Sequence, residues 1–475
     1  MENKGRPRTI LLLNPPAPEV MVREGRCMQR RGAWTTVWPP LTLATLASIF
    51  LQQGHVVRLR DCPVEGVGWE GLESLLREFV PDFVVINTAT PTIVNDLRAA
   101  ALAKGVCPAV KTIAIGIHPS ALPGATLKLC PDLDAVCIGE PERAVPEWVG
   151  GKVGPAGAGV LSQGDRDTGV RSTAKYLENL DELPFPAWQL VDRRNYRLPF
   201  SAREFLLINV GRGCPQGCLF CAARTYYGNA VRLRSVDRVI REMKRNAADF
   251  AVSDYLFWAE SFTQERDYAA SLCEAILKER LDVRWVCNAR VDQVDGDLLR
   301  LMKRAGCWMI GYGVESLAEE VLRRNRKNVV PRQIEEAVVT AKAAGLAVMA
   351  HCVFGLPGET EETLKVTESG IRRLPVDFVQ YYTAVPFPGS ELYAWAVREG
   401  RLLSDDFVRF EQNSTVLRLD GLPAEKIAGF RRTAYLRFYL RPRVIWNVFR
   451  LVLSRGGPAD FLRTFFDFGR WAVSR

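Results

Sequence analysis

Short apolar runs alternate with amphipathic, helix-like segments in two long series along this chain of 475 residues. The first series covers residues 8–149 and holds five strand-like runs, from TILLLN (9–14) to AVCIG (135–139). The second holds six, from FLLINV (205–210) to FVQYYTAV (378–385). Strict alternation of strand and helix requires right-handed crossovers and favours parallel sheets. We therefore predict an α/β protein with a doubly wound, Rossmann-like sheet followed by a partial (β/α)6 barrel of the TIM type.

The two series also indicate where the domains begin and end. Seven glycines between Gly150 and Gly169 indicate a flexible connector or a small hairpin excursion, and the proline-containing stretch LPFPAW then leads into the second series. The predicted organisation is an N-terminal Rossmann-like domain in residues 1–150, a linker in 151–200, a barrel in 201–400 and a basic, aromatic-rich helical region in 401–475.

The positive charge of the chain is concentrated near its C-terminal end. The formal net charge is +9, and residues 430–475 contain ten arginines, no lysine and two aspartates. The remainder is nearly neutral, so we expect no nucleic-acid binding. No apolar run is as long as a membrane span, and TILLL near the N-terminus fits a first strand better than a secretion signal. These features predict a cytoplasmic protein.

The C-terminal region admits two interpretations. Four residues recur at i, i+4, i+7 and i+11, on one stripe of a helix: Phe461, Phe465, Phe468 and Ala472. A basic helix with an aromatic stripe is typical of segments that lie on an anionic membrane surface, here the inner face of the cell membrane. Alternatively, the stripe packs on the barrel and the arginines face solvent.

Three of the twelve cysteines lie in one stretch, GRGCPQGCLFCAAR (211–224), directly after the first strand of the second series. They are Cys214, Cys218 and Cys221, and in a reducing compartment such clustered thiols indicate metal or redox chemistry. Three thiolates leave one vertex of a zinc ion, or one iron of a four-iron cluster, without a protein ligand. A substrate or cofactor can coordinate at that position. A structural zinc site completed by a distant residue is the alternative.

The CPQGCLFC stretch resembles the signature loop of the radical S-adenosylmethionine (SAM) superfamily. The resemblance implies that Cys214, Cys218 and Cys221 hold a 4Fe–4S cluster, whose remaining iron is chelated by the amino and carboxylate groups of SAM. It also implies an enzyme that cleaves SAM reductively to a 5′-deoxyadenosyl radical, with an electron from an external donor of the flavodoxin or ferredoxin type.

The resemblance extends over residues 204–400. Phe220 matches an aromatic position whose backbone packs on adenine. Glu260 matches an acidic position that holds the SAM amino group, although Ala259 replaces the neighbouring acidic residue. Arg290 matches a basic position that pairs with the SAM carboxylate. The resemblance also implies contacts with ribose or methionine from three residues after the fourth strand: Gly311, Gly313 and Glu315.

Residues 8–149 resemble the cobalamin-binding domain that precedes the barrel in one large radical SAM class. The resemblance implies that the corrin lies between this domain and the barrel mouth. It implies cobalamin contacts from strand-end residues: Asn14, Thr88, Thr90, Gly116, His118, Gly139 and Glu140. The D-x-H-x-x-G motif, which supplies an axial histidine in many other cobalamin proteins, is absent, so His118 is interpreted as a contact of the cofactor tail or as a partly exposed turn residue. An accessory domain that binds no cofactor is the alternative.

The long loop after the first strand is a second feature of this domain. Residues 24–40 contain Cys27, Trp34 and Trp38. This loop either caps the corrin or walls the substrate cavity, or its tryptophans pack between the domains. We favour the packing interpretation.

The first hypothesis for function is a cobalamin-dependent radical SAM methyltransferase. By resemblance, such an enzyme transfers a methyl group from methylcobalamin to an unactivated carbon of a small-molecule, lipid or peptide substrate. Two alternatives keep the SAM chemistry: a cyclase or ring-remodelling enzyme acting on a tetrapyrrole or a lipid, and a radical SAM enzyme without cobalamin. A cluster protein for electron transfer or sensing is disfavoured because it needs no SAM-side residues. The sequence assigns no residue to radical quenching.

Overall fold

The computed structural model describes residues 6–24, 27–30, 37–151, 159–167, 173–198 and 203–455. Two six-stranded sheets, with helices packed on them, form the framework of this part of the chain. One sheet belongs to the N-terminal domain and the other to the barrel, so the predicted α/β class is confirmed.

The N-terminal domain contains the strands β1 (Thr9–Asn14), β2 (Met21–Glu24), β3 (Cys27–Arg30), β4 (Val56–Asp61), β5 (Phe83–Asn87), β6 (Lys111–Ile115), β7 (Ala135–Cys137) and β8 (Val160–Ser162). Its helices are α1 (Leu41–Gln52), α2 (Cys62–Glu65), α3 (Trp69–Phe79), α4 (Ile93–Val106), α5 (Ile117–Ala121), α6 (Pro123–Leu129) and α7 (Pro141–Val149). β2 and β3 form a separate antiparallel hairpin.

The strand order of the N-terminal sheet is β4-β1-β5-β6-β7-β8, and only β8 is antiparallel to its neighbour. Residues Ile10 to Leu13 of β1 have no exposed surface, because helices cover both faces of the sheet, as a continuous apolar run predicts. The order reverses at β1, so the predicted ligand-binding edge lies at the carboxyl ends of β1 and β5. β8 falls in the predicted linker and pairs with β7, from which helix α7 separates it along the chain.

The second series contains the strands β9 (Leu206–Asn209), β10 (Gly211–Arg212), β11 (Arg232–Leu233), β12 (Asp254–Trp258), β13 (Arg284–Ala289), β14 (Cys307–Glu315), β15 (Ala347–Phe354) and β16 (Phe378–Thr383). Its helices, including those of the C-terminal region, are α8 (Ala223–Tyr227), α9 (Val236–Phe250), α10 (Arg266–Lys278), α11 (Gly296–Arg304), α12 (Glu319–Arg324), α13 (Pro331–Ala343), α14 (Glu361–Arg373), α15 (Glu391–Arg398), α16 (Ala424–Tyr439) and α17 (Pro442–Arg455).

Six of these strands form an open half-barrel. β9, β12, β13, β14, β15 and β16 pair in parallel and in chain order. Along β15, fully buried residues alternate with half-buried ones, because one face packs on helices and the other lines the concave lumen. The predicted partial (β/α)6 barrel is therefore confirmed.

Helix α16 covers the edge of the half-barrel at β16. Tyr439 Oη accepts the N–H of Val379 at 3.0 Å and donates to the Val379 carbonyl at 2.8 Å. Tyr435 Oη accepts the N–H of Tyr381 at 2.9 Å and donates to Gln380 Oε1 at 2.9 Å. The two hydroxyls satisfy edge groups that would otherwise lack a neighbouring strand.

Part of the C-terminal region therefore packs on the barrel, whereas the stripe from Phe461 to Ala472 lies outside the described residues. In the part of the chain that the structure describes, no helix is long and apolar enough to cross a bilayer.

Trp38 packs edge-on against Trp258 of β12, with the ring centroids 5.1 Å apart, which agrees with the packing interpretation of the loop at residues 24–40. Trp34 and the side chain of Cys27 lie outside the described residues.

We expect Tyr439→Phe to lower the free energy of unfolding by about 1–3 kcal/mol, because it leaves the buried N–H and C=O of Val379 without the hydroxyl that bonds both. Denaturant titration followed by circular dichroism measures this change. Tyr393→Phe is the matched control, because the Tyr393 hydroxyl forms no hydrogen bond with the described residues. If Tyr439→Phe is as stable as the control, the hydroxyl does not hold the edge strand.

Candidate functional site

The cysteine loop is closed at its base by a short ladder between β10 and β11, which pair antiparallel. The chain between these strands carries Cys214, Cys218, Cys221 and helix α8. All three thiols are partly exposed and none forms a disulfide. The loop follows β9, the first strand of the half-barrel, so it lies at the carboxyl ends of the strands, as the sequence predicts.

Gly213 sets the direction in which the chain enters this loop. Its φ is +90°, and a Cβ there would collide with the carbonyl oxygen of Ala230. The Gly213 N–H donates to Glu260 Oε2 at 3.1 Å. Glu260 therefore lies next to the backbone that leads into Cys214, and its predicted contact with the SAM amino group stays a prediction.

Two buried cations lie close to the thiols. Burial raises the pKa of the Cys218 thiol, and the positive charges of Lys327 and Arg290 oppose that rise. Lys327 Nζ pairs with Glu315 Oε1 at 2.8 Å, and Arg290 donates to both carboxylate oxygens of Asp292 at 2.9 Å. Such cations favour the thiolate form that iron binding requires.

The donor set fits an iron–sulfur cluster with one open iron better than the structural zinc alternative. Three thiols on one loop, with cations beside them, match the ligand type and number of a cluster that keeps one iron for another ligand.

Lys327 is a site residue that the sequence analysis misses. It is only 5% exposed, and its neighbours Arg326 and Asn328 have φ values of +52° and +53°. Left-handed conformations cost roughly 1–2 kcal/mol per residue outside glycine. This strained turn lies between α12 and α13 and directs the lysine side chain to Glu315, an arrangement that no local sequence pattern reveals.

Gly313 of β14 lies directly against the charged pair of Glu315 and Lys327. A Cβ at this position would lie 2.8 Å from both Glu315 Oε1 and Lys327 Nζ. The charged pair therefore occupies the space that any larger residue would need. Contact of Gly313 with the ribose or methionine part of SAM stays a prediction.

Further polar groups face the lumen near Gly311. An added Cβ there would lie 2.5 Å from Asn288 Oδ1 and 3.0 Å from His351 Nε2. His351 Nδ1 lies 3.2 Å from Tyr382 Oη, and the two rings stack at an interplanar angle of 11°. Phe220 is partly buried and its side chain packs on an apolar cluster of the barrel, so its backbone contact with adenine stays a prediction.

Five of the predicted cobalamin contacts lie at the carboxyl edge of the N-terminal sheet and are buried: Asn14, Thr88, Thr90, Gly116 and His118. Asn14 Oδ1 accepts a hydrogen bond from Asn87 Nδ2 at 2.9 Å. Thr88 Oγ1 donates to the Ile115 carbonyl at 2.9 Å. These contacts tie the ends of neighbouring strands together and shape the edge on which a cofactor would rest.

His118 lies in the first turn of α5 and is fully buried, so the interpretation as a partly exposed turn residue is wrong. Its Nδ1 lies 3.3 Å from Thr90 Oγ1, and the Phe407 ring packs edge-on at 4.7 Å. Burial lowers the pKa of His118 to about 4, so the ring is neutral at neutral pH. Its Nε2 has no hydrogen-bond partner in the described part of the chain. A buried imidazole with one unpaired nitrogen fits a cofactor contact.

The remaining two predicted cobalamin contacts, Gly139 and Glu140, lie against protein. Gly139 approaches the side chain of Ala174. Glu140 accepts two hydrogen bonds from Arg232, at 2.7 and 2.9 Å. The carboxylate of Glu140 is thus already paired, and contact of either residue with cobalamin stays a prediction.

Two family models match the chain. The radical SAM superfamily matches residues 208–369, and the B12 binding domain matches residues 32–149. The first segment covers part of β9 and all of β12 to β15 of the half-barrel, and the second covers β4 to β7 of the N-terminal sheet.

Curated relatives match nearly the whole chain. An uncharacterized methyltransferase of Pyrococcus horikoshii is 30% identical over 440 residues, which cover 92% of this chain and 93% of the relative. The anaerobic magnesium-protoporphyrin IX monomethyl ester cyclase of Rubrivivax gelatinosus is 25% identical and covers 91% of this chain and 81% of its own length. The hopanoid C-3 methylase of Methylococcus capsulatus is 28% identical, with coverage of 80% and 72%.

Solved structures share the two-domain fold. The radical SAM methyltransferase TsrM of Kitasatospora setae, solved with cobalamin and a [4Fe-4S] cluster, is 17% identical with a TM-score of 0.67 and covers 96% of this chain and 92% of its own. The cobalamin-dependent enzyme OxsB, solved with aqua-cobalamin and SAM, is 16% identical with a TM-score of 0.65 and coverage of 96% and 72%. With the two family models and the near-complete match to the Pyrococcus relative, the chain belongs to the cobalamin-dependent radical SAM enzymes, whose cofactors are a 4Fe–4S cluster, SAM and cobalamin.

Proposed function

We propose that this protein is a methyltransferase that acts on an unactivated carbon of an organic substrate. The observation that carries the proposal is the contact between the base of the cysteine loop and the N-terminal domain, where Arg212 and Glu142 form a buried ion pair of 2.6 Å. The contact brings the SAM-cleaving site and the cobalamin-binding domain together in one chain. The 30% identity to a methyltransferase over 92% of the chain supports the same function.

The chain's own residues have distinct roles in this proposal. When bound, the cluster supplies the electron that breaks SAM, and cobalamin carries the methyl group. Cys214, Cys218 and Cys221 hold the cluster as thiolates. Arg290 uses Nε and Nη2 for Asp292, and its Nη1 has no partner in the described part of the chain, so we assign Nη1 to the SAM carboxylate.

The remaining SAM contacts come from the barrel mouth. We assign Glu260 to the SAM amino group, and Glu315 with the bare backbone of Gly313 to ribose or methionine. Lys327 fixes the Glu315 carboxylate through their ion pair. An external flavodoxin or ferredoxin is the proposed electron donor.

The edge of the N-terminal sheet is the proposed resting place of cobalamin. We assign Nε2 of His118, which is buried and lacks a partner among the described residues, to the tail of the cofactor. Asn14, Thr88, Thr90 and Gly116 form the walls beside it. No histidine of the described residues is assigned to cobalt in this proposal.

Oxidative cyclisation or ring remodelling is the second candidate. It is favoured by the 25% identity to the Rubrivivax cyclase over 91% of this chain. It would use the same cofactors and the same half-barrel but would transfer no methyl group. The two candidates therefore differ in the fate of the SAM methyl group.

The decisive experiment follows that methyl group. Protein purified anaerobically with cluster and cobalamin is reduced and given SAM with a deuterated methyl group. A methyltransferase forms both deoxyadenosine and S-adenosylhomocysteine, and the label is found on cobalamin. We expect the Cys214→Ala variant to lose its iron and to form no deoxyadenosine. Cys107 is a partly exposed cysteine of the N-terminal domain, so the Cys107→Ala variant should keep its iron and still form deoxyadenosine. Deoxyadenosine without S-adenosylhomocysteine or labelled cobalamin would favour the second candidate.

We expect Gly313→Ala to weaken SAM binding by roughly tenfold, equivalent to about 1.4 kcal/mol, because the added Cβ displaces Glu315 and Lys327. Equilibrium dialysis of labelled SAM with the cluster-loaded protein measures the affinity. Gly105→Ala is the control, because a Cβ there has nothing within 4 Å and the site lies on α4 of the other domain. An unchanged affinity would remove Gly313 from the SAM site.

We also infer a peripheral membrane contact through α17. Ile445 and Trp446 are 44% and 57% exposed at the start of this helix, beside the exposed Arg443 and Arg450. An apolar pair flanked by arginines is the combination that binds an anionic bilayer surface.

We expect the full-length protein to co-sediment with vesicles that contain phosphatidylserine, and Ile445→Ser with Trp446→Ser to reduce this binding several-fold. Val366→Ser is the control, since Val366 is 45% exposed on α14. Vesicles of phosphatidylcholine alone should bind none of the three proteins. Equal sedimentation of the double variant and the control would refute a contact through α17.

A further inference from the structure

Two arginines at the base of the cysteine loop bind two glutamates of the N-terminal domain. Arg212 and Arg232 are paired on the β10–β11 ladder. Arg212 donates to both carboxylate oxygens of Glu142 at 2.6 and 3.1 Å, and Arg232 donates to both oxygens of Glu140 at 2.7 and 2.9 Å. Arg212 also lies 3.5 Å from Glu140, and no side chain of the four is more than 9% exposed. We call these four residues the interdomain network.

The interdomain network holds the cysteine loop at both of its ends. Arg212 precedes Cys214 by two residues. Arg232 donates to the carbonyl of Tyr227, which ends helix α8 beyond Cys221. A shift of the N-terminal domain relative to the half-barrel would therefore be transmitted to the segment that carries all three thiols.

The charges of the network are balanced. A third acid, Glu24, lies near it, and burial raises the pKa of Glu24 to about 8, although hydrogen bonds from Thr42 oppose the rise. The negative charge of Glu142 adds to the rise and Arg212 reduces it. At neutral pH Glu24 is therefore mostly neutral, and two carboxylates face two guanidinium groups.

Stability alone does not account for such an arrangement. Buried ion pairs contribute little net free energy to folding, because desolvation offsets the attraction. Paired guanidinium and carboxylate groups do, however, fix relative orientation, since each pair makes two parallel hydrogen bonds. The half-barrel offers a comparison within one domain, where buried Arg234 and Glu242 pair at 2.5 Å.

We propose that Glu140, Glu142, Arg212 and Arg232 are positioning residues that set the distance and orientation of the cluster loop relative to the cobalamin-binding domain. This role rests on the proposed function only in its purpose, which is to present the radical and the methyl carrier to the same substrate. In this role the network acts through the loop whose cysteines bind the cluster, and no contact with SAM or substrate is assigned to it.

The test measures the separation between the two redox groups directly. Protein is loaded with the cluster and cobalamin and reduced until both groups are paramagnetic. The magnetic splitting in the EPR spectrum then depends on the distance between the two groups. We expect Glu142→Gln and Arg232→Lys to keep iron and cobalamin but to lose the single splitting of the wild type, which broadens into a distribution. Glu242→Gln, which breaks the pair inside the half-barrel, should keep the wild-type splitting.

Two results decide against the proposal. If both network variants show the wild-type splitting, the network does not set the separation. If neither variant accumulates as folded protein while Glu242→Gln does, the network is an element of folding and the positioning role is overturned. Should only Glu142→Gln fail to fold, Arg232→Lys decides alone, because it keeps the charge and removes the paired geometry. If the wild type shows a single splitting but its cobalamin carries no label, the methyltransferase function is refuted and the positioning role is unaffected.

Discussion

Parallel strands place all of their carboxyl ends on one edge of a sheet, and this protein depends on that constraint twice. In the N-terminal sheet the edge carries Asn14 and His118, and in the half-barrel it carries the cysteine loop. Glu142 follows β7 and Arg212 follows β9, so their contact shows that the two edges meet. Because the two edges face each other, two cofactors that each bind at strand-end loops can take part in one reaction.

Most strands of the two sheets were predictable because they are apolar and alternate with amphipathic helical segments. Every predicted run, from TILLLN to FVQYYTAV, begins within one residue of a strand, since most of these strands are apolar runs that helices cover. The hairpin β2–β3, the antiparallel β8 and the ladder β10–β11 were not predicted. These strands of two to four residues are too short to show a period by themselves, and β8 and β11 also pair with strands that are distant in sequence.

The site divides in the same way. Cys214, Cys218 and Cys221 are found from spacing alone, because one loop supplies all three ligands. Lys327 cannot be identified from spacing, because its side chain is positioned by a strained turn and by an ion pair with Glu315 on another element. Glu140 shows a different limit of sequence-based prediction. Its position at a strand end predicted a cofactor contact, but its carboxylate is bound by Arg232. No periodicity in the sequence indicates that these two residues pair.

At the interface between the domains, stability and relative orientation come from different interactions. Apolar side chains from the N-terminal domain, the cysteine loop and the C-terminal region form one cluster that includes Met28, Tyr226 and Phe410. Burial of such surface is strongly favourable but non-directional, so by itself it would tolerate sliding. The bidentate pairs of Arg212 and Arg232 add direction to that contact. A radical enzyme with a separate methyl carrier needs both, since a small displacement can leave the reacting atoms out of reach of each other.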